Sequence, residues 1–263
     1  MLNLLYETDL LVLYALILVL IAGAAELGSW LGRRSQPAVQ ESGIGALTGA
    51  ALGLLALLLA FSFSLALSRY DTRRTMVLEE ANAIGSTANF ALMLPEPAQP
   101  AILSLLRDYT AVRIGLGTPY DPAKLQRDIA RSVELQARLW QQATALTAAA
   151  PQSLPIYRFV GSLNEMNNVH ERRLTALRYH VPGEVMFTLV GVAMVAMGFA
   201  GYQVGSRAAS RVAALLMSLM VAVVTMMVVD LDRPARGFIQ VPVQPLIDAA
   251  QGIPGYHPAT AME

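Results

Sequence analysis

The chain has 263 residues, 55% of them hydrophobic and only 14% charged, with a mean hydropathy of +0.47. Soluble domains carry about a quarter charged residues, so this composition excludes an ordinary soluble protein and points to an integral membrane protein. Lys+Arg and Asp+Glu balance at 19 each, which leaves no basic field to recruit nucleic acid, and the lack of cysteine excludes disulfides, thiolate catalysis and cysteine-based metal sites.

Leu10 to Leu31 forms the first candidate span, LLVLYALILVLIAGAAELGSWL. No basic residue precedes it and it is too long for a signal-peptide core, so a retained helix is expected despite the small residues Ala22 to Ala25. Glu26 is its one ionisable side chain. With Trp30 and Arg33 close by, it reads as an interfacially paired glutamate rather than a functional intramembrane acid. A short link, Gly32 to Ser42 with Arg33, Arg34 and Pro37, leads to the second span.

Gly43 to Leu94 is the stretch around which the chain is organised. Ile44 to Leu67 carries no charge and is long enough to cross a bilayer as a helix. The sequence then turns polar at Ser68, Arg69, Tyr70, Asp71, Thr72, Arg73 and Arg74 without a proline to stop the helix. The expectation is one rod of roughly 50 residues, roughly 75 Å long at 1.5 Å per residue, leaving the membrane into the aqueous phase. Gly45, Gly49 and Gly53 are spaced by four, and the row continues through Leu57 and Phe61. Small residues at this spacing allow close helix packing in lipid. Alternatively, the row faces an axis shared by several subunits, with Leu57 and Phe61 narrowing a pore that gates by dewetting. Further along, Val77, Ala81, Ile84, Ala88 and Ala91 make a narrow apolar seam, with Glu79, Glu80 and Asn82 away from it or on its flank.

Prolines 95, 97 and 100 stop the rod. Three amphipathic helices are expected next. Residues 101 to 116 place Ile102, Leu105, Tyr109, Val112 and Leu116 on one face. Residues 122 to 149, opened by Asp121-Pro122, place Leu125, Ile129, Val133 and Trp140 on a stripe. Residues 155 to 180 place Phe159, Leu163, Met166 and Leu177 on theirs. Nothing between 68 and 183 alternates like a strand, so the middle is expected to be an all-helical soluble domain.

The third span is expected over Glu184 to Gln203 and the fourth over Val212 to Val229, joined by a tight turn with Arg207 and Arg211. The tail from Leu231 to Glu263 holds five prolines and reads as extended, turn-rich chain. The expected organisation is a first hairpin over 1–67, a helical domain over 68–183, a second hairpin over 184–230 and the tail over 231–263. Four spans put both termini on the side of the middle domain. That side has eight flanking arginines (Arg69, Arg73, Arg74, Arg172, Arg173, Arg178, Arg233 and Arg236), the hairpin links four, so the positive-inside rule makes it cytoplasmic.

Other chemistry finds little support. His170, His180 and His257 stand in no metal-ligand spacing, and His170-Glu171-Arg172-Arg173 reads as a solvated helix turn. Gly115-Leu116-Gly117 lacks the third glycine and the preceding strand of a phosphate loop. Glu79 and Glu80 are adjacent and so point about 100° apart on a helix, which argues against a paired-carboxylate site. The expectation is no enzyme, no cofactor and no metal.

LLLAFSFSLALSRYDTRR, EEANAIG, LPEP, RYHVP before the third span and DLDRPARGFIQVPVQPL after the fourth resemble the uncharacterised bacterial bestrophin-like membrane proteins over nearly the whole chain. Arg69, Arg74, Glu79, Glu80, Asn82, Asp230, Asp232, Arg233 and Pro234 belong to these motifs. The resemblance implies an all-α pentamer in the bacterial inner membrane, with cytoplasmic termini and a pore lined by the second helix. By the same resemblance the neck falls on Gly53, Leu57 and Phe61, where Gly53 has no side chain to narrow a pore; in a channel so built, Ser62 and Ser64 are expected to offer hydroxyls near the cytoplasmic mouth. Asp230 and Asp232 are only a faint counterpart of the acidic calcium cluster of animal bestrophins, so calcium gating is not expected. Two functions follow as expectations: an oligomeric ion channel conducting an inorganic ion, or a non-conducting membrane scaffold or sensor whose helical domain binds a partner. The second predicts a glycine row buried between helices of one subunit.

Overall fold

The computed structural model describes residues 9–34, 43–116, 121–204, 208–233 and 237–256, with the side chains of 208–211 excepted. Pro37, Gly117, Arg207, Pro234, Arg236, His257 and the side chain of Arg211 lie outside what is described. Among the described residues every regular element is a helix: α1 Leu10–Arg34, α2 Gly43–Ala91, α3 Ala98–Ile114, α4 Pro122–Ala149, α5 Leu154–Arg178, α6 Gly183–Val204, α7 Ala208–Asp232 and α8 Gln244–Gln251. Stretches long and apolar enough to cross a membrane fall within Leu10–Arg34, Gly43–Ala91, Leu154–Val204 and Val212–Asp232. In the third of these the apolar window belongs to α6, because α5 is interrupted by charges throughout.

The chain divides into two compact units, and the division falls within α2, between Tyr70 and Asp71. The first unit holds Met1–Tyr70 and His180–Ile239. Its core joins Leu13, Ile17, Ile21 and Ala25 of α1 to Leu55 and Ala66 of α2, Leu189, Ala193, Ala196 and Met197 of α6, and Ala222, Val228 and Val229 of α7. The backbones of α1 and α6 approach closely. A Cβ added at Gly201 would stand 1.9 Å from the Ala25 carbonyl oxygen, and one at Gly28 2.0 Å from that of Gly198. Gly32 meets the Tyr202 carbonyl oxygen at 2.4 Å in the same sense. Small residues therefore set the α1–α6 distance, the arrangement expected where no hydrophobic force draws helices together.

The second unit holds Asp71–Tyr179 and Gln240–Glu263. The seam Val77, Ala81, Ile84, Ala88 and Ala91 is buried and shares a core with Ile102, Leu106, Leu135, Leu139, Phe159, Leu163 and Met166. Asp121 caps α4 by accepting the Ala123 N–H at 2.9 Å, with Pro122 in the first helical position. Pro100 sits inside the first turn of α3, where a missing N–H is tolerated.

Two expectations are corrected here. Val133 is 49% exposed, and α4 instead buries Ser132, Leu135, Gln136, Leu139 and Ala143. Leu125, Ile129 and Trp140 of the expected stripe are half-buried, Trp140 against the core, and small and amide side chains complete the buried face in place of Val133. The tail is not all extended: α8 forms over Gln244–Gln251, with Pro245 in its first turn, and it buries Ala250 and places Leu246 in the core of the second unit. Eight residues are too few to show a helical period.

Candidate functional site

The row spaced by four on α2 lies on the broad exposed side of that helix, which also presents Leu47 at 55% and Leu54 at 51%. Thr48, Leu55, Ser62 and Ala66 are buried, whereas Gly49, Gly53, Leu57, Phe61 and Ser64 are exposed, Leu57 at 51% and Phe61 at 64%. A Cβ added at Gly49 or Gly53 would meet nothing within 4 Å, and one at Gly45 would meet only the tip of Gln203 at 3.4 Å. Among the described residues, no helix backbone packs against Gly45, Gly49 or Gly53. Ser62 stands apart from the row, because its side chain is buried within the chain's own fold. In the second unit the exposed side of α2 continues through Leu78, Asn82, Ser86 and Asn89, and these residues line one wall of a shallow polar groove closed by Pro245, Asp248 and Ala249.

Arg74 is exposed and Arg69 half-buried. Arg73, beside them, is buried and donates to the Tyr179 carbonyl at 3.4 Å, where α5 ends.

Asp230 and Asp232 bind backbone. The Asp230 carboxylate accepts the N–H groups of Phe238 and Ile239 at 3.0 and 3.1 Å, pinning the chain as it leaves α7. Both oxygens of Asp232 lie 3.0 Å from the Val181 N–H, just before α6. Arg233 is buried beside them. Among the described residues no group of three or more histidine or acidic side chains comes together in a way that could hold a metal.

His170 with Arg173 overturns one expectation: neither lies on a solvated face, His170 being 0% and Arg173 4% exposed, and Glu80, on the flank of the seam, is 0% exposed. Glu80 is the hub of a network drawn from α2, α3, α4 and α5. Arg113 grips it with two prongs, Nε to Oε1 at 2.6 Å and Nη2 to Oε2 at 3.3 Å. Arg173 donates through Nη1 to the same Oε2. The Tyr109 hydroxyl lies 3.1 Å from Glu80 Oε1 and 3.1 Å from His170 Nδ1, and Gln136 Nε2 donates to it at 3.4 Å. The carboxylate is the stronger acceptor, so the phenol donates to Glu80 and the assigned tautomer of His170 carries its proton on Nδ1. Glu79 and Arg172, one position along on each helix, stay on the surface, where Arg172 reaches Glu165 at 2.6 Å and Glu79 at 3.7 Å.

Burial alone would raise the Glu80 carboxyl pKa, but the charges of Arg113 and Arg173 and their hydrogen bonds outweigh it and hold it below the usual carboxylate range. Burial, reinforced by the charge of Glu80, pushes the Tyr109 phenol up, so it stays neutral. Burial, then the charge of Arg113, lowers His170 to about 4. His170 is therefore uncharged at neutral pH. His170 titrates in the folded protein below its ordinary value, so stability is lost progressively as pH falls from 6.5 toward about 4, whereas the contribution of Glu80 is complete above pH 4.5 and is lost as pH falls through its lowered pKa. For His170 the gap from 6.5 to about 4 corresponds to at most about 3 kcal/mol. Thermal melting between pH 7 and pH 4 is expected to show this loss in the wild-type protein and a shallower one in His170→Gln. Equal slopes would contradict the burial of an uncharged His170.

The conspicuous glycines were legible in sequence, but this network was not. The signal was present in register: Glu80 lies three residues after Val77 and four before Ile84, on the edge of the seam, and Arg113 follows Tyr109 by four on the buried face of α3.

The Bestrophin-like domain profile matches residues 15–246. The chain belongs to the Bestrophin-like family. The fold agrees. A crystal structure of a bacterial bestrophin homologue from Klebsiella pneumoniae with a tryptophan-to-alanine mutation superposes with a TM-score of 0.74 at 14% identity, covering 94% of this chain and 97% of that one. Another structure of a Klebsiella pneumoniae bestrophin homologue gives 0.71 at 16% identity over 94% and 100% of the two chains. A further one, described only as a membrane protein, gives 0.70 at 15% over 90% and 97%. No curated protein matches the sequence. Family and apolar helices together make this Bestrophin-like chain a membrane protein.

Proposed function

We propose that this Bestrophin-like protein is a homo-oligomeric ion channel, pentameric by resemblance, whose α2 helices line a central path. The observation that carries the reading is the open row on α2: two glycines with free space before them, then Leu57 and Phe61 exposed, while the opposite side of the same helix is buried. Around a shared axis this row makes a wide glycine-lined stretch followed by rings of Leu57 and Phe61. Rings of large apolar side chains resist wetting and so hold a path closed to ions. Ser64 follows on the exposed side, and α2 carries the path out of the membrane into the helical domain. Four spans with arginines gathered on the side of that domain support a bacterial inner-membrane protein with cytoplasmic termini. The scaffold alternative requires the glycine row to be buried within the subunit, and the open space at Gly49 and Gly53 speaks against it. Membrane lipid and an inorganic ion are then the partners; the reading needs no cofactor, nucleic acid or enzymatic step.

The test is purified protein in planar lipid bilayers. Wild-type protein is expected to give single-channel current, and Phe61→Ala to increase conductance or open probability several-fold by removing an apolar ring. An absence of current in both proteins, or current indifferent to Phe61→Ala, would contradict the gate.

A further inference from the structure

The first unit holds a cavity of about 130 Å³ between α1, α6 and α7. Leu13 and Ile17 of α1, Met186 of α6 and Val229 of α7 line it and are buried. Leu16 and Phe187 line it too, but at 54% and 53% exposure they form its rim. Among the described residues the wall has two polar members, and both are engaged elsewhere. Thr225 donates its hydroxyl to the Val221 carbonyl at 2.8 Å, and the Asp232 carboxylate accepts the Val181 N–H. A buried water usually makes about three hydrogen bonds, which such a wall does not supply. An engineered cavity of about 150 Å³ lined by leucine, isoleucine and phenylalanine stays dry and takes benzene or xenon instead. The position is equally specific. Leu13 and Met186 lie in the first turns of α1 and α6, and Val229 and Asp232 in the last turn of α7. The cavity therefore begins at one end of the spans, and its wall runs on to Leu20, roughly 10 Å deeper at 1.5 Å per residue. Its rim stands on membrane-spanning helices, so the medium before it is hydrocarbon and the cavity continues the protein–lipid boundary inward.

We propose that this cavity is a lipid site, and that it seats one acyl chain of a phospholipid from the leaflet at the Asp232 end of the spans. A chain entering between Leu16 and Phe187 lies against Ile17, Met186 and Val229. Leaving bulk lipid brings no hydrophobic gain, so the affinity comes from packing contacts that the lining otherwise forgoes. The one charge in the wall is committed to backbone, so the site recognises the chain and not the headgroup. Among the described residues its walls come from α1, α6 and α7 rather than from α2, and the proposal stands or falls independently of conduction.

The experiment photolabels the full-length protein in vesicles of phosphatidylethanolamine and phosphatidylglycerol. A trace of phosphatidylethanolamine carries a diazirine on one acyl chain, and adducts are mapped by peptide mass spectrometry. Bulk lipid reaches exposed side chains such as Val19, whereas a seated chain also reaches buried ones. Adducts are expected on Ile17, Met186 or Val229 as well as on Val19, and equally from a phosphatidylglycerol bearing the same chain. Val190→Phe fills the cavity from its α6 wall and is expected to lower the buried adducts roughly tenfold, with Val19 unchanged, because a close-packed space cannot hold both. The wild-type map needs no variant to fold: adducts confined to exposed residues would overturn the proposal. Adducts missing from Leu16 and Phe187 as well would show the rim covered by protein, a second copy included, and would overturn it too. So would buried adducts that survive in a Val190→Phe protein of unchanged Tm, or adducts formed from one headgroup alone.

Discussion

Glu80→Ala is expected to destabilise the helical unit by about 3–5 kcal/mol, the usual cost of removing one partner from a buried ion network. Two guanidinium groups, each bonded to this carboxylate, would be left facing one another in the core. The tyrosine at the centre would lose its acceptor as well. The effect should exceed that of any surface charge on the same helices. Glu79→Ala is the matched control: its contact with Arg172 is long at 3.7 Å and exposed, and such pairs contribute between nothing and about 1 kcal/mol. Thermal unfolding of both variants in one detergent checks the contrast. Similar small losses would show that Glu80 is not the hub of the second unit.

Gly201→Ala is expected to separate α1 from α6 and to destabilise the membrane unit by about 1–3 kcal/mol or more, the range for overpacking a filled interior. The new methyl would meet the Ala25 carbonyl at 1.9 Å, and a backbone atom cannot swing aside as a side chain can. Gly28→Ala should behave alike, since its obstacle is the Gly198 carbonyl at 2.0 Å. Gly23 and Gly191 lie in the same two helices with nothing within 4 Å of an added Cβ. Alanine there should be neutral or slightly favourable, because alanine is the better helix former. Comparing the melting of the four variants separates close packing from a general effect of glycine loss. A mild Gly201→Ala would mean that α1 and α6 are not held this tightly.

The features that were legible in sequence are the ones written in a local, periodic code. Uncharged runs marked the spans, and the seam from Val77 to Ala91 lies in the core of the second unit as its alternation of threes and fours implied. What escaped was non-local. The partners of Glu80 are 33 and 93 residues away, so nothing near Glu80 announces that it is buried, and isolated charges read as solvated ones. The glycines mislead for a related reason. The three evenly spaced glycines of α2 attract notice but touch almost nothing in the chain, whereas α1 and α6 each contribute a less regular set that acts only in combination. The backbone partners of Asp230 and Asp232, the N–H groups of Phe238, Ile239 and Val181, are likewise beyond any local pattern. α8 was hidden by the prolines in and around it and by its length.

Since the chain has no cysteine, a single introduced thiol reports its own surroundings without background. Mild oxidation of Phe61→Cys in the membrane tests directly whether the open row of α2 meets its copies, with Val19→Cys, 67% exposed on α1, as the control. The expected result is a disulfide-linked dimer from Phe61→Cys and none from Val19→Cys, with native mass spectrometry giving a mass of several subunits. A monomeric mass with no cross-link at position 61 would mean that the row faces lipid, and the channel reading would fall.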